Sequence, residues 1–162
     1  ALIFNKMIEH DYFWNGIPDE KKFSNTNLSS KEVKFILRKF FSNGYGVKIS
    51  FYRSNYFRRN VVAYVNGGKA LKLNFNTRFH SFTMKKNEAP FEFLSDKIKT
   101  VSHEGSHLAD NYSSERFGHG DNSSQGKEDS VPYWFGNYCK EYFLNNVGAF
   151  ENISIYDYLF IN

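Results

Sequence analysis

Five consecutive residues, His103-Glu104-Gly105-Ser106-His107, place two imidazoles four positions apart with a carboxylate between them. On a helix, positions i and i+4 share a face, so both rings can grip one metal ion. Zn²⁺ suits this donor set. It takes imidazole and carboxylate ligands and lowers the pKa of bound water to about 7. Glu104 is then placed to take a proton from that water as it attacks a polarised carbonyl, and to pass the proton to the leaving nitrogen. With five histidines in 162 residues, composition alone yields this pattern in roughly one chain in a hundred. A chance pair of structural histidines is therefore the weaker explanation.

A catalytic zinc usually has three protein ligands and one open position, so a third ligand must follow His107. Glu115, His119, Asp121, Glu128 and Asp129 are the candidates. On a continuous helix Glu115 would sit more than two turns along the axis, too far to join. His119 and Asp121 lie in a Gly-rich stretch that can fold back. Glu128 opens a later helical segment, and an antiparallel ligand-bearing helix closes such a site well. The order of preference is Glu128, then His119, with Asp121 and Asp129 behind. The longer pattern H-E-x-x-H-x-x-G-x-x-H needs glycine at position 110 and histidine at position 113. Asp110 and Ser113 stand there, which excludes that ligand set. Asp110 becomes a candidate for orienting a ligand imidazole. An oxyanion also needs a second electrophile. Tyr112, Arg116, Tyr133 and Tyr138 are close in sequence, and Tyr138 is the choice, set against a core-packing role for any of these tyrosines.

Elements must position these groups. Residues 1–28 read as irregular, with turn signals at Asn15-Gly16 and Pro18-Asp19. Ser29 to Asn43 is a helix, with a capping box from Ser29 and Glu32 and an apolar stripe of Val33, Ile36, Leu37, Phe40 and Phe41. The period then changes. Val47 to Arg53 alternates as a strand, Val61 to Val65 is a second, and Asn66-Gly67-Gly68-Lys69 is a hairpin turn. Ala70 to Phe75 should pair back on Val61 to Val65, giving an antiparallel meander that Phe79 and Phe82 can extend. As a sheet edge, Ala70 to Phe75 could pair with an extended peptide, although an interior position is the more ordinary expectation. Pro90 starts a helix that carries the two histidines. Gly118 to Lys127 is a polar loop, and a last helix runs from Glu128 to Asn145-Asn146. Residues 151–162 form a short aromatic tail. The order helix, sheet, helix, helix implies an α+β fold with a small antiparallel sheet packed on the H-E-x-x-H helix and the ligand-bearing helix after it.

The length fits one domain spanning 1–162. Aromatics make up 19% of the chain, with 18 Phe and 11 Tyr, so ring packing should dominate the core. The start at Ala1, without an initiator Met or a signal-peptide core, suggests a chain processed or excised from a longer protein. No apolar run approaches the ~18 residues a membrane span needs. The single Cys139 excludes an internal disulfide and a thiolate-rich zinc site, and its apolar surroundings suggest a buried, inert thiol. The net charge is +4. Arg53, Arg58 and Arg59 lie among Tyr52, Tyr56 and Phe57, a mixture that can bind nucleic acid. An exposed strand pair with snorkelling side chains is the more ordinary reading.

The stretch His103 to Asp110, then Gly118-His119-Gly120, then Glu128 through Phe135-Gly136-Asn137-Tyr138, resembles the H-E-x-x-H peptidase domains at the C-termini of Rhs/YD-repeat polymorphic toxins. It is similar also to the related type III secreted effector metallopeptidases. Those domains carry a glutamate shortly before a phrase like S-A-V-x-F-x-N-Y, and the resemblance implies that Glu128 is the third ligand, as in gluzincins. It covers His103 to Tyr142; Gly105, Leu108 and Pro132 depart from the family's usual residues. It implies a zincin-like fold and a zinc metallopeptidase, secreted or delivered into a target cell, with a protein substrate and an immunity protein as partners. Two other readings stand beside it. One is a non-enzymatic binding domain using the basic, aromatic sheet from Lys48 to Lys72. The other is a zinc amidase acting on a non-protein amide with the same activated water.

Overall fold

The computed structural model describes residues 2–43, 47–53, 63–65, 71–77, 89–119 and 127–150. Two short helices come first, α1 (Leu2–Glu9) and α2 (Asp11–Asn15), in a stretch whose sequence suggests irregular structure. Their brevity is the reason: eight and five residues are too few to display a helical period. Helix α3 (Ser30–Ser42) follows, with Ser29 as N-cap and both hydrogen bonds of the expected capping box to Glu32 formed. It buries Val33, Ile36, Leu37 and Phe40.

The sheet has three strands, β1 (Lys48–Tyr52), β2 (Ala63–Val65) and β3 (Lys72–Asn76), in the order β1-β3-β2. β3 pairs back on β2 antiparallel as expected, with Leu73 opposite Val65 and Phe75 opposite Ala63. It also pairs parallel with β1, Ile49 against Leu73 and Phe51 against Phe75. The sheet is therefore mixed rather than an antiparallel meander, and β3 is its interior strand. Burial explains the order, because Leu73, Asn74, Phe75 and Asn76 are all buried, and a strand covered on both faces belongs in the middle. The Asn66 to Lys69 turn, Phe79, Phe82 and residues 151–162 lie outside the described residues. So do Tyr56, Phe57, Arg58 and Arg59 of the basic cluster.

Helix α4 (Pro90–Tyr112) has Pro90 in its first turn and carries the H-E-x-x-H motif in its C-terminal half. A single 3₁₀ turn (Lys127–Asp129) leads through Ser130, the N-cap, into α5 (Val131–Asn145), and α6 (Val147–Phe150) ends the described chain. Tyr133 meets His103, Gly136 meets Lys99 and His103, Lys140 pairs with Asp96, and Phe143 meets Phe91. Contacts running forward on α5 and backward on α4 make the two helices antiparallel. The core is aromatic as expected. Phe13 packs edge-on to Trp14, Phe135 and Tyr142, and Phe41 stacks on Phe135. Cys139 is fully buried among these rings, and burial pushes its thiol pKa up. No helix among the described residues is long and apolar enough to cross a membrane.

Candidate metal centre

Helix α4 is uninterrupted through its motif because its small residues are accommodated locally. Ser102 donates to the Ile98 carbonyl and Ser106 to that of His103, both at 2.7 Å. Gly105 lies under the Phe41 ring, where a Cβ would approach ring carbon to 3.0 Å. His103 and His107 consequently stand on one face, their Nε2 atoms 3.3 Å apart. Two nitrogens bound at about 2.0–2.1 Å around a tetrahedral ion are separated by about 3.3–3.4 Å, so this pair has the spacing of neighbouring ligands. His119 completes the group. Its ring stacks on His107 with centroids 4.6 Å apart and planes 9° from parallel. One nitrogen from each of the three imidazoles lies within 4.8 Å of the others, and this cluster could hold a metal ion.

The electrostatics favour ligation. Burial, then the charge of His119, holds the His103 pKa down to about 4. Burial, then His103 and His119, holds His107 down to about 3. Both rings are neutral at pH 7, and the neutral imidazole is the form that ligates. The backbone of Pro132 acts on His103 in the opposite sense, favouring its protonated form, but burial outweighs it. Glu104 is 6% exposed, and burial raises its carboxyl pKa to about 7.

The other expected ligands go elsewhere. Glu128 is in the 3₁₀ turn rather than in α5, exposed, and its carboxylate accepts from the side-chain amide of Asn137 at 2.6 Å. It is not part of the cluster. The start of α5 is set by Ser130 and Pro132, which leaves Glu128 ahead of the helix rather than on its inner face. Asp129 is paired with Lys21. Glu115 is exposed on the segment after α4, and Asp121 lies outside the described residues. Among the described residues Asp110 binds no imidazole; its carboxylate accepts from the backbone of Phe117 and Gly118 and from Arg116.

Among the four groups considered for the oxyanion, Tyr133 is the one brought to the cluster, its ring 4.5 Å from that of His103. The Lys127 ammonium lies over the Tyr133 ring at 4.4 Å, a cation the sequence reading did not single out. Tyr138 is on another side of α5. Its hydroxyl donates to the Phe13 carbonyl, and its ring packs on Phe13 and Trp134. Arg116 is taken up by Asp110 and Asn111, and Tyr112 packs on Phe40. A cavity of about 600 Å³ lies behind the motif, lined in part by Phe4, Ile8, Phe41, Val101, Gly105 and Leu108. None of the three histidines borders it, so the metal face and the cavity are opposite sides of α4.

Comparison of the chain with protein-family models, with curated proteins and with solved structures gives no match.

Proposed function

We propose that this chain is a zinc-dependent hydrolase of peptide bonds with a zincin-like arrangement, in which His103, His107 and His119 hold the metal and Glu104 carries the proton. The observation that carries the reading is the convergence of three imidazole nitrogens beside a buried carboxyl in H-E-x-x-H register. Zn²⁺ held there supplies a Lewis acid and brings water at the site to a pKa of about 7. Glu104, with its own pKa raised to about 7, is matched to exchange a proton with that water. Its carboxylate takes a proton from the attacking water and returns it to the leaving amine nitrogen as the C–N bond breaks. Tyr133, against His103, takes the oxyanion role in place of Tyr138.

The resemblance to toxin and effector peptidases supports this reading through the H-E-x-x-H motif and the Phe135 to Tyr138 phrase, though not through Glu128. The setting of a secreted or delivered protein, with a protein substrate and an immunity partner, rests on that resemblance.

Elemental analysis of the purified chain after zinc addition and desalting tests the site. We expect one zinc per chain in wild type and in Glu128→Ala, and none in His107→Ala. Glu104→Gln should keep its zinc and lose cleavage of a mixed-sequence fluorogenic peptide library by roughly 10²- to 10⁴-fold. A wild-type chain that takes up no zinc, or a Glu104→Gln variant that cleaves as fast as wild type, would overturn the proposal.

A further inference from the structure

His119 is exposed and lies on the irregular segment after α4. A side chain there is ordinarily poorly held, whereas a metal ligand must be held closely. The backbone just before it is fixed from two sides. From α4, one helical turn past His107, the buried Asp110 carboxylate accepts from Phe117 N at 2.6 Å and Gly118 N at 3.2 Å through Oδ1, and from Arg116 Nε at 3.1 Å through Oδ2. From the N-terminal segment, Asn25 Nδ2 donates to the carbonyls of Phe117 at 2.8 Å and Gly118 at 3.0 Å. The Oδ1 of Asn25 accepts from Val131 N at 2.9 Å, the first residue of α5. The backbone N–H and carbonyl of two successive residues, Phe117 and Gly118, are therefore all bound by side chains from elsewhere in the fold. The Phe117 side chain is 2% exposed and anchors the same segment in the core. Gly118 has φ +68°, a left-handed conformation suited to glycine, with no heavy atom within 4 Å of where a Cβ would stand.

We propose that Asp110 and Asn25 are positioning residues for the third metal ligand: they hold the Phe117 and Gly118 backbone so that His119 meets the His103–His107 pair. This rests on the three-histidine reading of the site. Asp110 ties the segment to the helix that carries the other two ligands. Asn25 ties it to the start of α5, two residues before the ring that abuts His103. The pair thus sets the distance between His119 and both halves of the site without touching the metal.

The test is zinc affinity of the full chain by chelator competition, with the visible absorption of the Co²⁺-loaded protein reporting the ligand set. Thermal melts report folding. Asp110→Asn, Asn25→Ala and Gly118→Ala should each weaken zinc binding roughly 10- to 100-fold and shift the Co²⁺ spectrum towards that of His119→Ala. Asp110→Asn combined with His119→Ala should bind no more weakly than His119→Ala alone, because the role is exerted through His119. Wild-type affinity in the folded single variants would overturn the proposal. So would a double variant that adds the full Asp110→Asn loss to that of His119→Ala. Gly118→Ala keeps the test decisive if Asp110→Asn does not fold, since it removes no contact. The underlying reading fails in a different way: His119→Ala would then bind zinc as wild type while His107→Ala does not.

Discussion

Glu104 is buried and its two neighbouring imidazoles are half-buried, and desolvation acts on these ionisable groups of opposite kind with opposite sign. In the metal-free chain His103 and His107 titrate at about 4 and about 3 against 6.5 when free. Below pH 6.5 the unfolded chain therefore binds more protons, and stability falls as pH drops towards those values. Glu104 titrates at about 7 against 4.5. The folded chain keeps that proton longer, and stability falls as pH rises from 4.5 through 7. We expect metal-free Glu104→Gln to be more stable than metal-free wild type at pH 8, and to lose that advantage at pH 4.5, by urea denaturation at both values. Equal stability at pH 8 would mean that Glu104 ionises freely and lacks the buried environment described. At this scale the motif pair was legible, because i and i+4 on a helix is a local relation. The third ligand was not. Spacing and the resemblance both put Glu128 ahead of His119, whereas the segment just before His119, the third ligand proposed here, is held in part by Asn25, more than ninety residues away in the chain.

Helix α5 packs against α4 closely enough to need glycine at one point. A Cβ on Gly136 would stand 2.9 Å from the Lys99 carbonyl oxygen and 3.3 Å from the His103 Cβ. Two effects of Gly136→Ala oppose each other. Helix propensity favours alanine by about 1 kcal/mol, while forcing an atom into a packed contact costs about 1–3 kcal/mol. The obstructing atom is backbone and cannot rotate away, so the second effect should win. We expect Gly136→Ala to lower the melting temperature and also to weaken zinc binding, because the same contact sets the position of His103 and its Pro132 and Tyr133 neighbours. A variant as stable as wild type, with unchanged affinity, would show that the two helices can separate without cost. The helices themselves were readable from their apolar period and their caps. The sheet was readable only in part. The pairing of β2 with β3 follows from adjacency in sequence. The parallel pairing of β1 with β3 leaves no local mark, since it joins strands separated by a third.

The three proposed ligands belong to two different parts of the molecule, the C-terminal half of α4 and the segment anchored through Asn25 to the N-terminal region and α5. That N-terminal region is joined to the 3₁₀ turn as well, by Lys21 to Asp129 and by Ser24 N to the Asp129 carbonyl. A metal binding all three histidines would close a loop between α4 and α5 that otherwise depends on the Asp110 and Asn25 hydrogen bonds and on helix packing. It would bind the folded chain and find no preformed site in the unfolded one. Such linkage stabilises by about 2.7 kcal/mol when free metal is 100 times its dissociation constant. For a chain of 162 residues, each kcal/mol moves the midpoint by about 2–4 °C, so zinc should raise the melting temperature by about 5–10 °C over the chelated protein. The shift should shrink markedly in His119→Ala, which leaves both metal-holding imidazoles on a single helix and removes the cross-connection. It should vanish in His107→Ala, which breaks the pair itself. A wild-type midpoint that does not respond to zinc or chelator would mean that no metal joins these elements. The three imidazoles would then be a packed surface cluster, neutral through burial of His103 and His107.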